Sequence, residues 1–238
     1  MPESRIILPL DVPTLAEAVR IAETVAPHLA AVKIGKQLFT AEGPTAVRAM
    51  HDLGLRVFLD LKFHDIPNTV AGAVESACAL GVWMVNVHAS GGATMLKAAA
   101  GAVAKAPAGS RPILLGVTVL TSLSDADIQA AWGTTRTVPE QVVHLATAAK
   151  AAGLNGVVAS PQEIRPIRQT CGPGFLIVTP GVRPTDAALD DQQRVMTPGG
   201  AIRAGADYLV IGRPITAAPD PAAAARQINA ECGMRNAE

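Results

Sequence analysis

Short β-branched or aliphatic runs recur along the chain at RIILPL, AAVKI, RVFLDLKF, VWMVNVH, PILLGVTVL, GVVAS, FLIVTP and DYLVIG. Between them lie Ala-rich segments with helical spacing of apolar positions, among them TLAEAVRIAETVAPHL, NTVAGAVESACALG, PEQVVHLATAAKAAG and GGAIRAG. Several of these end in Gly, the residue that a helix C-cap favours. Strand and helix therefore alternate from end to end. Such alternation predicts a parallel sheet, and eight repeats match a closed (β/α)8 TIM barrel better than an open doubly wound sheet. No GxGxxG follows the first strand, which weakens a dinucleotide-binding reading. With no low-complexity linker, residues 1–238 read as one α/β domain. The longest interruption, SLSDADIQAAWGTTRTVPEQ after the fifth strand, fits either a mobile lid or a decorated loop.

In a barrel of this kind the active site lies at the C-terminal ends of the strands, so polar residues closing an apolar run draw attention. Asp11, Lys33, Asp60, Lys62, His88, Thr121, Arg183 and Arg213 all fall there. The third strand is the most informative. Side chains alternate across a strand, so Phe58, Asp60 and Lys62 share one face while Val57, Leu59, Leu61 and Phe63 share the other. The apolar face should pack on helices, leaving Asp60 and Lys62 to point into the barrel mouth. The same alternation sends Lys33 inward, with Val32 and Ile34 outward, and Asp11 ends the first strand facing the same cavity. An isolated Asp/Lys pair is ordinarily a structural salt bridge. Four charges converging on one mouth are better explained as a site, because burying them is costly unless they are paired.

GVRP follows the seventh candidate strand and IGRP the eighth. Loops at these positions commonly hold a phosphate in this fold. Gly212 would let the backbone approach closely, and the Arg213 fork of donors would clamp phosphate oxygens. A phosphorylated ligand is therefore expected.

Composition narrows the classes. The chain has 238 residues, 49% of them hydrophobic, enough for a large core, and formal net charge zero. No Lys/Arg run supplies the footprint of a nucleic-acid binder, so no nucleic-acid partner is expected. No apolar stretch is long enough to cross a bilayer and the first residues do not resemble a signal peptide, so the expectation is a soluble cytoplasmic protein without a membrane partner. Cys78, Cys171 and Cys232 are few and far apart, lacking CxxC spacing, and read as ordinary thiols.

At DLKFHDIPNTV, Asp60 to Val70, the chain resembles the orotidine 5′-phosphate decarboxylase family, whose core is an Asp-x-Lys-x-x-Asp constellation. LPLDV, VKIGKQLF, VNVHASGG, GVTVLTS, VTPGVRP, DDQQRVMTP and YLVIGRPI resemble further family segments in the expected order. The resemblance implies decarboxylation of orotidine 5′-phosphate to UMP in pyrimidine biosynthesis, without cofactor or metal. It makes Lys62 the proton donor and Asp60 the carboxylate beside the departing group, with Lys33 and Asp65 completing an alternating network. It implies a homodimer in which Asp65 and Ile66 reach the neighbouring subunit's site. Asp11 and Lys33 resemble ribose contacts, Thr69 a further substrate contact and Thr121 the pyrimidine contact. Arg183, Gln192, Gly212 and Arg213 resemble the phosphate-side group. Gln192 is preferred to Gln193 because it lies nine residues after Arg183. Lys36 departs from the usual uncharged residue, and His64 and His88 are expected to support or pack. A metal-dependent relative acting on a sugar phosphate shares the barrel and the core motif, but FHDIPNTV argues against it. A catalytically silent nucleotide sensor is the rival from another class, and the intact Asp60/Lys62/Asp65 set argues against that.

Overall fold

The computed structural model describes residues 4–183 and 196–233. Each of the eight predicted runs contributes a strand: β1 (Ile6–Pro9), β2 (Ala31–Gly35), β3 (Val57–Phe63), β4 (Met84–His88), β5 (Ile113–Val117), β6 (Gly156–Val158), β7 (Leu176–Pro180) and β8 (Tyr208–Val210). They pair in parallel in sequence order, and β8 returns to β1 through Ile6 opposite Leu209, closing the barrel.

The pleat divides the core in two. Ile7, Ala31, Phe58, Met84, Leu115 and Val178 fill the barrel interior, while Val32, Ile34, Val57 and Leu59 join the larger layer between strands and helices. Below the interior layer, Trp83 meets Tyr208 edge-on, with ring centroids 5.2 Å apart. The Arg56 guanidinium lies 4.5 Å from the Trp83 ring centroid. A cation on an aromatic face and a T-shaped ring pair are both favourable contacts, and together they close the end of the barrel remote from the site.

The surrounding helices begin and end where local chemistry directs. Helix α1 (Leu15–Val25) starts where Thr14 accepts a bond from the Glu17 amide. Helices α2 (Lys36–Glu42) and α3 (Pro44–Asp52) follow β2. Helix α4 (Pro67–Ala79) opens on a proline, whose missing N–H costs nothing in a first turn. Helix α5 (Gly92–Lys105) then leads to β5. The long interruption after β5 is a loop carrying its own helix, α6 (Asp125–Trp132), whose Ser124 and Asp127 form a reciprocal capping box. Ile128 buries its side chain beneath α6, and Asp125 accepts the Val138 amide at the start of α7 (Val138–Ala151). Helices α8 (Ile164–Cys171), α9 (Pro198–Ala204), α10 (Arg213–Thr216) and α11 (Pro221–Gly233) complete the shell.

All three cysteines are free, and burial pushes the Cys232 thiol up to about 11. Among the described residues, no helix is long and apolar enough to cross a membrane.

Candidate active site

A cavity of about 730 Å³ opens at the C-terminal ends of the strands. Its floor is Phe58, the uppermost apolar residue of the β3 inward face, and Asp60 and Lys62 rise above it. Lys33 reaches the same space from β2 and Asp11 from the turn after β1. These side chains form a chain of alternating charge. The Lys33 ammonium is 3.2 Å from Asp11 Oδ1 and 3.1 Å from Asp60 Oδ2, and the Lys62 ammonium is 2.7 Å from Asp60 Oδ1. Lys33 and Asp60 are 8% and 7% exposed, so each charge depends on its neighbours for the solvation it has lost. Burial pushes the Asp60 carboxyl up. The ammoniums of Lys33 and Lys62, with hydrogen bonds from Lys62 and Asn86, outweigh burial and hold it below the usual carboxylate range.

Lys62 faces the cavity as the alternation predicts, but the strand reaches that position by another path. The β3–β4 register runs from Leu59 opposite Val85 to Phe63 opposite Val87, so β3 spends more residues than β4 on the same stretch. Within this bulge Lys62 has φ 54°, the one non-glycine residue with positive φ among those described. The even offset preserves parity, leaving Leu61 and Phe63 against the outer core.

Thr121, Arg183, Gly212 and Arg213 also line the cavity. Arg183 is 6% exposed, and its amide donates to the Met196 carbonyl. Gly212 passes against β1: a Cβ there would meet Pro9 Cγ at 2.9 Å. Gln192, and Gln193 beside it, lie outside the described residues. Asp65, Ile66 and Thr69 are exposed on the turn between β3 and α4 and the first turn of that helix, and do not line this cavity. Asp65 Oδ1 accepts the Ile66 amide at 2.6 Å.

Lys36 is exposed at the start of α2. His64 and His88 lie with ring centroids 5.4 Å apart beside the mouth. Burial, with the like charges of His64, Lys62 and Lys36, lowers His88 to about 4, so its imidazole is neutral near pH 7.

Two contributors escape the sequence reading. Asn86 is fully buried on β4 and bonded to both Asp60 and Lys62. Its signal was a polar residue in the inward phase of VNVH, between Met84 and His88. Gly35 stands two residues beyond Lys33 on the same face of β2. A Cβ on it would lie 2.8 Å from Asp11 Oδ1 and 3.1 Å from Lys33 Nζ. A side chain there would push the Asp11 carboxylate from this ion pair. Among the described residues, no group of three or more His, Cys, Asp or Glu side chains is placed to hold a metal ion.

The family model for orotidine 5′-phosphate decarboxylase / HUMPS matches residues 4–228. The chain belongs to this family. The family description carries two names, and the relatives favour the first. A protein of Moorella thermoacetica named orotidine 5′-phosphate decarboxylase is 55% identical over 98% of this chain and 93% of its own length. One of Halorhodospira halophila with the same name is 54% identical over 95% of each. The crystal structure of orotidine 5′-phosphate decarboxylase from Lactobacillus acidophilus superposes with a TM-score of 0.86 and 38% identity, covering 96% of this chain and 99% of that one. The (β/α)8 barrel, expected from the alternation of strands and helices, is therefore also the fold of a similar solved protein.

Proposed function

We propose that this chain decarboxylates orotidine 5′-phosphate to UMP, with the Asp60/Lys62 pair as the reacting centre. The observation that carries the reading is the Lys33–Asp60–Lys62 chain of contacts at the mouth of a barrel whose relatives bear that name. The pyrimidine carboxylate is placed beside Asp60, and its bond to C6 breaks to release carbon dioxide. The electron pair remains on C6 in an in-plane orbital that the ring carbonyls do not delocalise. Lys62 then transfers a proton from its ammonium to that carbon. Until transfer, a positive charge about 4 Å away at an effective dielectric near 20 stabilises the developing carbanion by about 4 kcal/mol. Phosphate and ribose contacts supply binding energy that holds the carboxylate against Asp60. The chemistry proposed needs neither metal nor organic cofactor.

The ribose falls to Asp11 and Lys33, the pyrimidine to Thr121, and the phosphate to Arg183, Gln192, Gly212 and Arg213. Arg213 opens α10 directly after Gly212, so guanidinium and backbone lie at one end of the cavity. Arg213→Ala is expected to lower kcat/KM for orotidine 5′-phosphate by about a hundredfold, the scale of losing charge-assisted hydrogen bonds. Turnover of the unphosphorylated nucleoside should be unaffected by that substitution. Equal losses on both substrates, read from steady-state kinetics, remove Arg213 from the phosphate site.

Gly35→Ala tests the ribose end. Its φ of −93° suits alanine, so the cost is steric and falls on the Asp11 carboxylate, which is exposed enough to swing away. The melting temperature should hold while KM rises about tenfold, corresponding to one good hydrogen bond. An unchanged KM contradicts the role given to Asp11.

The active unit is a homodimer. Ile66 is 67% exposed, against 39% for Leu120 and 40% for Trp132. It stands beside Asp65 on the turn that launches α4. An apolar side chain so presented, next to a carboxylate the local cavity does not use, fits a segment that completes a neighbour's site. Thr69, in the first turn of the same helix, would follow it there.

A further inference from the structure

Asn86 is 0% exposed within β4, between Val85 and Val87, where an apolar residue would avoid the cost of burying an amide. Both ends of its side chain serve the reacting pair. Nδ2 donates to Asp60 Oδ1 at 2.6 Å, and Oδ1 accepts the Lys62 main-chain N–H at 2.8 Å. A carboxylate must be met by a donor and a main-chain N–H by an acceptor, so reversing the amide would break both contacts. The orientation is therefore fixed by its partners.

These bonds fall where β3 is least regular. The bulge takes the Lys62 amide out of ordinary register with β4, and Asn86 Oδ1 supplies the acceptor. Lys62 is held there at φ 54°, a conformation unfavourable for a residue with a Cβ and kept only where surrounding contacts over-determine it. On the other side, Asp60 Oδ1 takes Asn86 and Lys62 while Oδ2 faces Lys33, so the carboxylate cannot turn without losing a partner.

We propose that Asn86 is a positioning residue for the decarboxylation, holding the Lys62 backbone in its left-handed turn and the Asp60 carboxylate in one orientation. The assignment rests on the reading of Asp60 and Lys62 as the reacting pair. It gives the strained lysine a cause: without the Asn86 acceptor, the turn that aims its ammonium at Asp60 loses its support.

Asn86→Asp tests this with almost no change of shape. One oxygen of the new carboxyl still accepts the Lys62 amide. The other meets Asp60 Oδ1 where an N–H stood, and two carboxyls at hydrogen-bond distance share a proton. Protonated, the new group donates to Asp60 as the amide did; ionised, it repels it. The kcat of N86D relative to the parent protein should therefore rise as pH falls across about pH 9 to 5. In the ionised form the loss should be about tenfold to a hundredfold, with much smaller changes in KM. Asn86→Leu removes both bonds and adds no charge, so its relative kcat should be low at every pH while UMP binding, followed by calorimetry, is retained.

A pH-independent ratio for N86D overturns the proposal, and so does a folded N86L with parental kcat. If N86D does not fold, N86L decides alone: lost kcat with retained UMP binding supports the assignment, and parental kcat refutes it. Failure of the parent protein itself to decarboxylate orotidine 5′-phosphate would instead refute the functional reading.

Discussion

Lys62→Ala is expected to lower kcat for orotidine 5′-phosphate by at least about ten-thousandfold while leaving the protein folded. The size follows from two losses at one atom: the charge opposite the developing carbanion and the proton that quenches it, each large on its own in enzymes. Folding should survive because Asp60 keeps Lys33 at 3.1 Å and the Asn86 amide at 2.6 Å, so its carboxylate is not left alone. With one of the two ammoniums that depress it gone, the Asp60 pKa should move up from its lowered position. Lys62→Arg should not rescue turnover. A guanidinium restores the charge, but it is bulkier and holds its protons too tightly to release one on demand. Rapid-quench measurement of carbon dioxide, with circular dichroism on the same samples, checks both parts. Near-parental turnover in a folded K62A protein removes Lys62 as proton donor.

The second large effect concerns Asp65. Asp65→Ala should inactivate the protein nearly as fully as Lys62→Ala, although Asp65 lies outside the cavity of its own chain. Mixing the two inactive variants after dissociation and reassembly should restore activity. Random pairing puts half of the dimers in mixed form. Each mixed dimer carries one site with both residues intact and one with neither, so about a quarter of the parental activity returns. No recovery in verified mixed dimers, with each variant inactive alone, would place Asp65 in its own subunit's site or in none. A dissociated parental monomer should likewise be inactive.

Particular residues show what was legible in advance. The barrel could be read because strands buried on both faces stand out as apolar runs between helical spacings, and all eight runs became strands. Simple alternation places Lys33 and Asp60, since the β2–β3 pairing is regular where they stand. Alternation puts Lys62 on the correct side for an incomplete reason. Nothing in LDLKF announces a bulge, and the lysine reaches the cavity through a left-handed residue that an adjoining strand stabilises. Asn86 and Gly35 went unread because their importance is relational: one matters through its bonds across two strands, the other through the volume it leaves empty. The loop after β5 looked like a long interruption because α6 carries little apolar periodicity, being held by its cap, Ile128 and the Asp125 bond to α7. Asp65 poses a different difficulty: a residue proposed to serve a neighbour leaves no pattern within its own chain, and only the motif resemblance singles it out.

On the proposed mechanism these residues decarboxylate orotidine 5′-phosphate without a metal or organic cofactor. The direct measurement is the change in pyrimidine absorbance when purified protein, stripped of divalent ions by chelator, is mixed with orotidine 5′-phosphate, with UMP and carbon dioxide quantified in the same reaction. Stoichiometric UMP and carbon dioxide, formed at a rate unchanged by chelation, is the predicted result. No turnover, or turnover that returns only when a divalent ion is restored, would contradict it.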